Sequence, residues 1–359
     1  MIPYFLLAIL PAILYFAGKK YKITAGSKLI YETQTASINV FMLMLLLLLA
    51  FRGVQCGIDT KQYLNLYNIY SSSNFKSLLI NYEHEFGYKF LNKIIGIVAD
   101  DFQILLIVTA IICICPLWYF YKKESENQLL TVSLFLSVAP FIMYFSGIRQ
   151  SIAMGLGIPA WYAAKNKKLI TFILIVILAL QFHSSAFILF AIYPLYYAKI
   201  TKKWLWFVVP GILGVFIYRV PIFMFLLRFL WEDYEATPET GATTILLLLI
   251  LFAIYAYVIP DDKLLDDDTM ALRNILLLSV VIQIFAMLHP LSMRMNYYFL
   301  IFVPVLIPKI ASRAKKGFAK VTQLSTIIMT AYFMYYFVNK VIKDIDPLHI
   351  FPYIPFWKN

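Results

Sequence analysis

Charge is scarce in this sequence: Asp, Glu, Lys and Arg together make up 14% of its 359 residues, where a soluble domain carries roughly a quarter. A water-facing globular surface of ordinary polarity is therefore excluded. Polar stretches are lacking too, and no segment is long enough and polar enough to form a separate soluble domain. Cysteine is nearly absent. Three residues cannot make a fully paired disulfide framework, and Cys113 and Cys115, two apart on a helix, point in different directions, so neither a disulfide nor a thiolate metal site is indicated. Internal repeats are lacking, which excludes solenoids and weakens a reading as a repeat-built transporter. What is abundant is apolar: 62% of residues are hydrophobic, in runs that recur along the whole length. The sequence reads as an all-α polytopic membrane protein, a single integral membrane domain over residues 1–359. Its first run, MIPYFLLAILPAILYFAG, has no basic n-region and no A-x-A-like cleavage site, and reads as a retained first span.

Apolar runs suited to spanning lie near 2–17, 37–51, 102–121, 128–146, 148–164, 168–182, 184–198, 204–218, 241–259, 272–288, 295–311 and 321–340. About twelve transmembrane helices result, several of them short against the roughly 20 residues a span needs. The segment VPIFMFLLRFLW at 220–231 is shorter still and reads as re-entrant or interfacial. Orientation follows from lysine and arginine in alternate loops. Lys19, Lys20, Lys22 and Lys28, then Lys165, Lys167 and Lys168, then Lys199, Lys202 and Lys203, then Lys309, Arg313, Lys315, Lys316 and Lys320 fall on one side with Lys122, Lys123, Lys263 and Arg273. That side is the cytoplasmic one, so both termini are expected outside. The formal charge of +12 lies mostly in these loops, where it sets orientation, and nucleic acid is not indicated as a partner. The acidic run DDKLLDDD at 261–268 reads as a solvated loop.

With this topology Arg149 and Gln150 lie at the outer end of the helix pair 128–146 and 148–164. Arginine is costly in hydrocarbon, and Gly147, Ser151, Ala153, Gly155 and Gly157 around it suit close helix packing about a cavity. A functional guanidinium facing water is the favoured reading; a snorkelling side chain is the alternative. His183 sits at the tight outer turn of ALQFHSSAFILF, as a titrating group or as a satisfied interface residue. Arg294 lies near the outer end of its span. The longest outer segment, 52–100, holds Arg52, Asp59, Glu83 and Glu85. Tyr63, Leu66, Tyr67 and Tyr70 recur there at helical spacing, which predicts a short interfacial helix that buries them and exposes Lys61, Gln62 and Asn65. Asp59 is placed to cap that helix, and Glu83 and Glu85 read equally as site residues or as solvated loop charges.

The order of these pieces resembles the EpsG family of bacterial exopolysaccharide membrane proteins, related to the Wzy O-antigen polymerases. The resemblance runs along most of the chain and rests on RGVQCGIDTKQYLNLY, EFGYKFLN, RQSIA, FHSSA and RMNYYF; the family's second segment often has a proline where this chain has Phe86. It implies a multi-spanning, GT-C-like glycosyltransferase of the bacterial inner membrane with an outer-face cavity. The implied reaction joins undecaprenyl-diphosphate-linked oligosaccharide repeat units into O-antigen or exopolysaccharide. Donor and acceptor are then both lipid-linked, membrane lipid and a chain-length regulator protein are the other partners, and no cofactor is implied.

With such a donor the leaving group is a lipid diphosphate, whose developing charge fixed guanidinium groups stabilise. Arg149 and Arg294 are the catalytic candidates, Arg52 is a third contact to substrate, and metal independence is expected. A neutral imidazole suits removal of the acceptor proton, which makes His183 the first candidate base. Asp59 and Glu85 come second, either of them binding sugar hydroxyls instead, and Gln150 is a further substrate-binding candidate. A single displacement inverts the anomeric carbon. The rival readings are a flippase or polysaccharide transporter, whose coupling groups belong near mid-membrane, and an O-antigen ligase, which shares the donor and differs in the acceptor.

Overall fold

The computed structural model describes residues 1–25, 27–80, 84–138, 141–230, 241–345 and 348–358. Among these residues the chain is helical, with two isolated β-bridges and no strand. Three helices, Phe102–Glu124, Asp267–Ala286 and Lys316–Ile342, are long and apolar enough to cross a membrane, and the number reaches 5 when two bent pairs each count as one span. Those pairs are Ser184–Tyr197 with Lys202–Ile217, bent by 120°, and Pro290–Leu300 with Val303–Ser312, bent by 47°. The chain is thus a helical, membrane-type protein whose apolar runs are often broken.

The breaks correct several sequence boundaries. The run at 128–146 is interrupted after Ser137, shortly before Pro140, which cannot continue a helix without losing a hydrogen bond. The run at 184–198 starts as a 3-10 helix, Ser184–Ala191, and becomes α-helical only at Ile192. The run at 295–311 bends where Pro304 occupies the first turn of a new helix, a position at which its missing N–H is harmless. At the amino-terminal end the helices continue through much of the expected loop 18–36, to Ala25 and from Ser27. The side chains of Lys19, Lys20, Lys22, Lys28 and Arg228, and all of Glu83, lie outside the described residues.

Two compact units are present, Met1–Phe190 with Ile327–Asn359, and Ala191–Thr326. The first contains α1 (Ile2–Ala25), α2 (Ser27–Ala50), α3 (Thr60–Ser72), α4 (Phe75–Ile80), α5 (Phe86–Ala99), α6 (Phe102–Glu124), α7 (Gln128–Ser137), α8 (Met143–Ser146), α9 (Ile148–Lys165) and α10 (Leu169–Leu180). Helices α1, α2, α6, α9 and α10 pack each on the next. Small and polar residues make the seams, as expected where lipid supplies no hydrophobic drive between helices. Ser37 donates to the Pro11 carbonyl at 2.7 Å and Trp118 Nε1 to Asn39 Oδ1 at 2.8 Å. Gly155 lies against α6, where a β-carbon would come within 3.0 Å of the Ile112 carbonyl oxygen. Cys113 is buried and Cys115 exposed on that same helix, the divergence their spacing predicts.

Helix α3 shows the expected face: Tyr63, Tyr67 and Tyr70 are buried while Lys61, Gln62 and Asn65 are exposed. Protein covers that face. Tyr63 and Tyr70 meet the Tyr88 ring edge-on at 5.7 and 6.3 Å, and Tyr67 packs on Phe102 at 5.8 Å. The carboxyl-terminal segment returns to the same end of this unit. Gly53, Gly57 and Ile58 donate backbone N–H groups to the carbonyls of Ile354, His349 and Leu348 at 2.8–2.9 Å, and Tyr4, near the amino terminus, donates to Ile350 at 2.6 Å. One face of the unit therefore collects the start of α1, the loop after α2 and the chain's last residues.

The second unit contains α11 (Ile192–Tyr197), α12 (Leu205–Ile217), α13 (Arg219–Leu230), α14 (Gly241–Val258), α15 (Asp267–Ala286), α16 (Pro290–Leu300), α17 (Val303–Ser312) and the start of α18 (Ala319–Ile342). Helix α15 is its centre. A buried polar cross-link ties α14, α15 and α16 there: Asn296 donates to Gln283 Oε1 at 2.8 Å and to the Ser279 carbonyl at 3.1 Å, Ser279 donates to Asn296 Oδ1 at 2.6 Å, and Gln283 donates to the Ala242 carbonyl at 3.1 Å. Such interhelical bonds contribute about 0.6–2 kcal/mol each in membrane proteins. The acidic run 261–268 is more than a solvated loop, because its carboxylates carry caps and ion pairs. Asp262 pairs with Arg273 at 3.2 Å, Asp266 caps α15 at Thr269 and pairs with Arg313 at 2.5 Å, and Asp268 accepts from Tyr196 at 2.5 Å.

Candidate functional site

The first unit gathers four of the residues singled out in the sequence. Arg149 lies in the first turn of α9, as the second residue after the Gly147 N-cap. Its Nη1 donates to Glu85 Oε2 at 2.6 Å, in an ion pair whose side chains are 22% and 19% exposed. The other carboxylate oxygen, Glu85 Oε1, accepts the backbone N–H of Ser184 at 2.8 Å. Both oxygens are thus committed, one to the guanidinium and one to the turn that carries His183. The Tyr63 phenol lies close enough to Arg149 to interact with it electrostatically. A guanidinium held by Glu85 loses little further freedom on meeting a ligand, and its Nε–H is buried without a hydrogen-bond partner among the described residues. The same place is the start of an 18-residue helix, where the dipole and the leading N–H groups favour an anion.

Local sequence explains why these segments meet. Glu85 is the extended N-cap of α5, with φ −60° and ψ 140°, and Phe86 is the first helical residue. That position accepts proline as readily as any residue, so Phe86 leaves the start of the helix unchanged. Gly87 presses against the α10 turn: a β-carbon would lie 2.7 Å from the Gln181 carbonyl oxygen, and the next residue, Tyr88, donates to that carbonyl at 3.1 Å. The EFGY and QFHSS motifs therefore dock backbone to backbone. Burial acts to raise the Glu85 pKa but is outweighed by the Arg149 charge, by N–H groups of Glu85 and Ser184, and by His183, so the carboxyl lies below its ordinary value. For Tyr63, burial acts first and pushes the phenol up against the pull of Arg149, keeping it neutral.

His183 closes the turn after α10. Its Nδ1 accepts the backbone N–H of Ser185 at 3.2 Å and lies 2.7 Å from the Ser185 hydroxyl. The Ser185 N–H donates, so Nδ1 acts as an acceptor in this contact, and Nε2 is the ring nitrogen that remains to carry a proton. Asp59 stands at the N-cap position of α3 without capping it through its side chain, contrary to the sequence expectation. Its residue is αR rather than extended, with φ −88° and ψ −6°, which turns the carboxylate away from the helix. Ser146 takes the contact instead, accepting the Asp59 N–H at 3.3 Å and donating to Oδ2 at 3.0 Å. Gly57 makes this approach feasible. Its φ is +101° and a β-carbon would fall 2.2 Å from the Phe145 carbonyl oxygen, so the G-x-D spacing brings the loop flush against the residues preceding Arg149.

The remaining candidates lie elsewhere. Arg52 is 2% exposed, donates to the Leu49 carbonyl at 2.5 Å and borders a cavity of about 10 Å³ with Thr109, Tyr144 and Ser151. That volume admits about one water, too little for a sugar or a diphosphate. Gln150 is 1% exposed within the core of the first unit. Arg294 lies exposed as the fifth residue of α16 in the second unit, whose N-cap is His289, through Nδ1 accepting from the Leu291 N–H at 3.1 Å. Sequence reasoning missed Ser146, Ser184 and Ser185, and took Tyr63 only as part of a buried stripe. The hydroxyl neighbours in FSGIR and FHSSA were the available signal.

No curated protein and no solved structure matches the chain. The sequence profile of the EpsG family matches residues 35–355, a span that includes every residue of the site just described. The chain belongs to the EpsG family, a Wzy-like polymerase family of polysaccharide biosynthesis.

Proposed function

We propose that the protein joins undecaprenyl-diphosphate-linked oligosaccharide repeat units into O-antigen or exopolysaccharide at the outer face of the bacterial inner membrane. The observation that carries this reading is the Arg149 guanidinium, fixed at a helix N-terminus by Glu85, with the His183 turn bonded to that same Glu85 through the Ser184 N–H and Asp59 bonded to Ser146. On this reading the architecture is GT-C-like with about twelve crossings, several of them short or broken. Both termini are outside, together with the segment 52–100, and a chain-length regulator is a further partner.

In the reaction the acceptor hydroxyl attacks the anomeric carbon of the donor, a new C–O bond forms, and the C–O bond to phosphate breaks. Its electron pair leaves with the diphosphate, so the carbon is inverted. Arg149 and the α9 N-terminus stabilise the departing charge without reorganising, a role that needs no metal. Glu85 positions Arg149. Arg294 stays in the proposal as a second guanidinium on the sequence pattern alone. Arg52 holds the outer loop to α2 and Gln150 packs beneath the site, and neither is assigned a substrate contact. His183 presents Nε2–H and serves as a hydrogen-bond donor to a phosphate or sugar oxygen. His183 Nδ1 accepts from the Ser185 backbone and both Glu85 oxygens accept hydrogen bonds, whereas Asp59 is bonded to Ser146 through Oδ2 alone among the described residues, so the acceptor's proton goes to Asp59.

Deleting the gene tests the activity. Gel analysis of surface polysaccharide is expected to show loss of the polymer ladder with single capped repeats remaining; loss of all capping would point to a flippase or a ligase. A substitution separates donor from base at His183. Glutamine supplies one acceptor and one N–H donor, so His183→Gln is expected to retain turnover within about 10-fold, whereas His183→Phe, which supplies neither, loses about 10²-fold. Equal losses of 10²-fold or more in both variants would return the base role to the imidazole.

A further inference from the structure

The second unit carries an apolar groove of about 370 Å³ between α12, α14 and α15, walled by Val208, Ile212, Ile250, Ile254, Leu277 and Val280. Helix α12 has no buried residue, so one wall of the groove is packed against little protein. A bare furrow of this kind is ordinary on a membrane protein. What sets this one apart is its end, at the carboxyl terminus of α14. Tyr257 lines it, and the buried Arg273 guanidinium stacks on that ring at 4.1 Å. Two ammonium groups from different segments converge beside them: Lys202 Nζ donates to the Pro260 carbonyl at 3.4 Å and Lys315 Nζ to the Val258 carbonyl at 3.3 Å.

These positions are fixed by backbone. The Lys315 N–H donates to the Ile259 carbonyl at 3.1 Å, the Asp261 N–H to the Arg313 carbonyl at 3.0 Å, and Pro260 forms a bridge with Ala314. Charge at the rim is uneven. Asp262 reaches Arg273 at 3.2 Å and Lys202 at 3.7 Å, and one carboxylate cannot balance three cations. Burial first, and then the Lys315 and Arg273 charges, hold the Lys202 pKa below its ordinary value against the opposing pull of Asp262. Just beyond Lys202, Trp204 and Trp206 stand 56% and 84% exposed, and exposed tryptophan marks the headgroup level of a bilayer.

We propose that this groove and its basic rim bind an anionic glycerophospholipid, with an acyl chain lying between α12 and α14 and the phosphate seated between Lys202 and Lys315. From Ile250 to Val258 the groove follows α14 for about 12 Å, enough to hold a substantial part of one chain. A basic pocket between helices at the membrane surface is the setting in which such headgroups are recognised. Within the second unit, Arg273 lies about 20 Å of helix from the end of α15 at Ala286, where the chain turns into the α16 that carries Arg294. On this reading the bound lipid is a structural partner that fastens α12.

The test is lipid binding to the full-length protein, delipidated in detergent and read by native mass spectrometry, with phosphatidylglycerol and phosphatidylcholine of equal chain length. The wild type is expected to prefer phosphatidylglycerol. Lys202→Gln with Lys315→Gln should weaken phosphatidylglycerol binding about 30-fold, at about 5-fold per charge, and leave phosphatidylcholine unchanged. Ala253→Phe, which fills the groove, should weaken both lipids. If the double variant fails to fold, Lys315→Gln alone is expected to show a loss of about 5-fold. Equal binding of the two lipids by the wild type, or a preference that survives in the lysine variants, would overturn the proposal. So would full competition by millimolar inorganic phosphate, which would mean a bare anion site, or a dimer abolished by Ala253→Phe, which would mean that a second chain fills the groove.

Discussion

Arg149→Lys is expected to lower polymer formation about 10²- to 10³-fold, the range seen when one preorganised donor to a developing anion is removed. Lysine keeps the positive charge beside Glu85 and so preserves much of the ion pair. What it loses is the planar fork that reaches Glu85 and a phosphate oxygen at once. Arg149→Ala is a harsher change with a mixed outcome. It would leave Glu85, 19% exposed, facing burial without its main charge partner, and burial is the largest influence acting to raise that carboxyl's pKa. With Arg149 present the Glu85 pKa is depressed, so the pair's contribution to stability is complete above the ordinary carboxylate pKa of about 4.3 and is lost as pH falls through the depressed value. At neutral pH the lysine variant should therefore insert and accumulate like the wild type, which isolates the chemistry from the fold. Normal polymer from an abundant Arg149→Lys protein would reduce this residue to a helix anchor.

Asp59→Asn is expected to cost about 10³-fold in turnover, within the range for loss of a general base. Asparagine retains the size of the side chain, and its carbonyl oxygen can accept from Ser146 as Asp59 Oδ2 does at 3.0 Å. The fold of the loop should survive, since Gly57 and the carboxyl-terminal segment hold it by backbone bonds. Donor binding should survive too, because Arg149 and the α9 N-terminus are untouched. The readout is turnover at neutral pH with donor binding followed separately: the variant should bind donor like the wild type and turn over about 10³-fold more slowly. Unchanged turnover in Asp59→Asn would remove the carboxylate from proton transfer and leave it as a partner of Ser146.

The site residues were legible in the sequence because polar chemistry stands out against an apolar background. Arg149, His183, Asp59 and Glu85 each interrupt or flank runs that bury everything else, and the first unit brings these four segments together. Their roles were less legible. The tautomer of His183 depends on where the Ser185 N–H points, and the freedom of Glu85 depends on the Ser184 N–H; neither leaves a mark in composition. Arg52 looked like Arg149 in sequence and is sealed at 2% exposure, since hydropathy does not distinguish a partly exposed arginine paired with a carboxylate from one bonded to its own helix end. The helix breaks were hidden for a related reason. An apolar run has the same hydropathy whether it forms one straight helix or two at 47°, and only Pro304 hinted at the second. The acidic run 261–268 read as solvent-facing because its partners, Tyr196, Arg273 and Arg313, are far away or cationic in regions read for orientation alone.

The most direct measurement is polymer formation by purified protein in liposomes supplied with undecaprenyl-diphosphate-linked repeat units, with and without chelator, for wild type and Arg149→Lys side by side. Chain growth by the wild type that persists in chelator and falls at least about 10²-fold in Arg149→Lys, with the variant still binding donor, is the expected result. No growth by the wild type, growth abolished by chelator, or equal growth by the two proteins would contradict the assignment of Arg149 to the departing diphosphate.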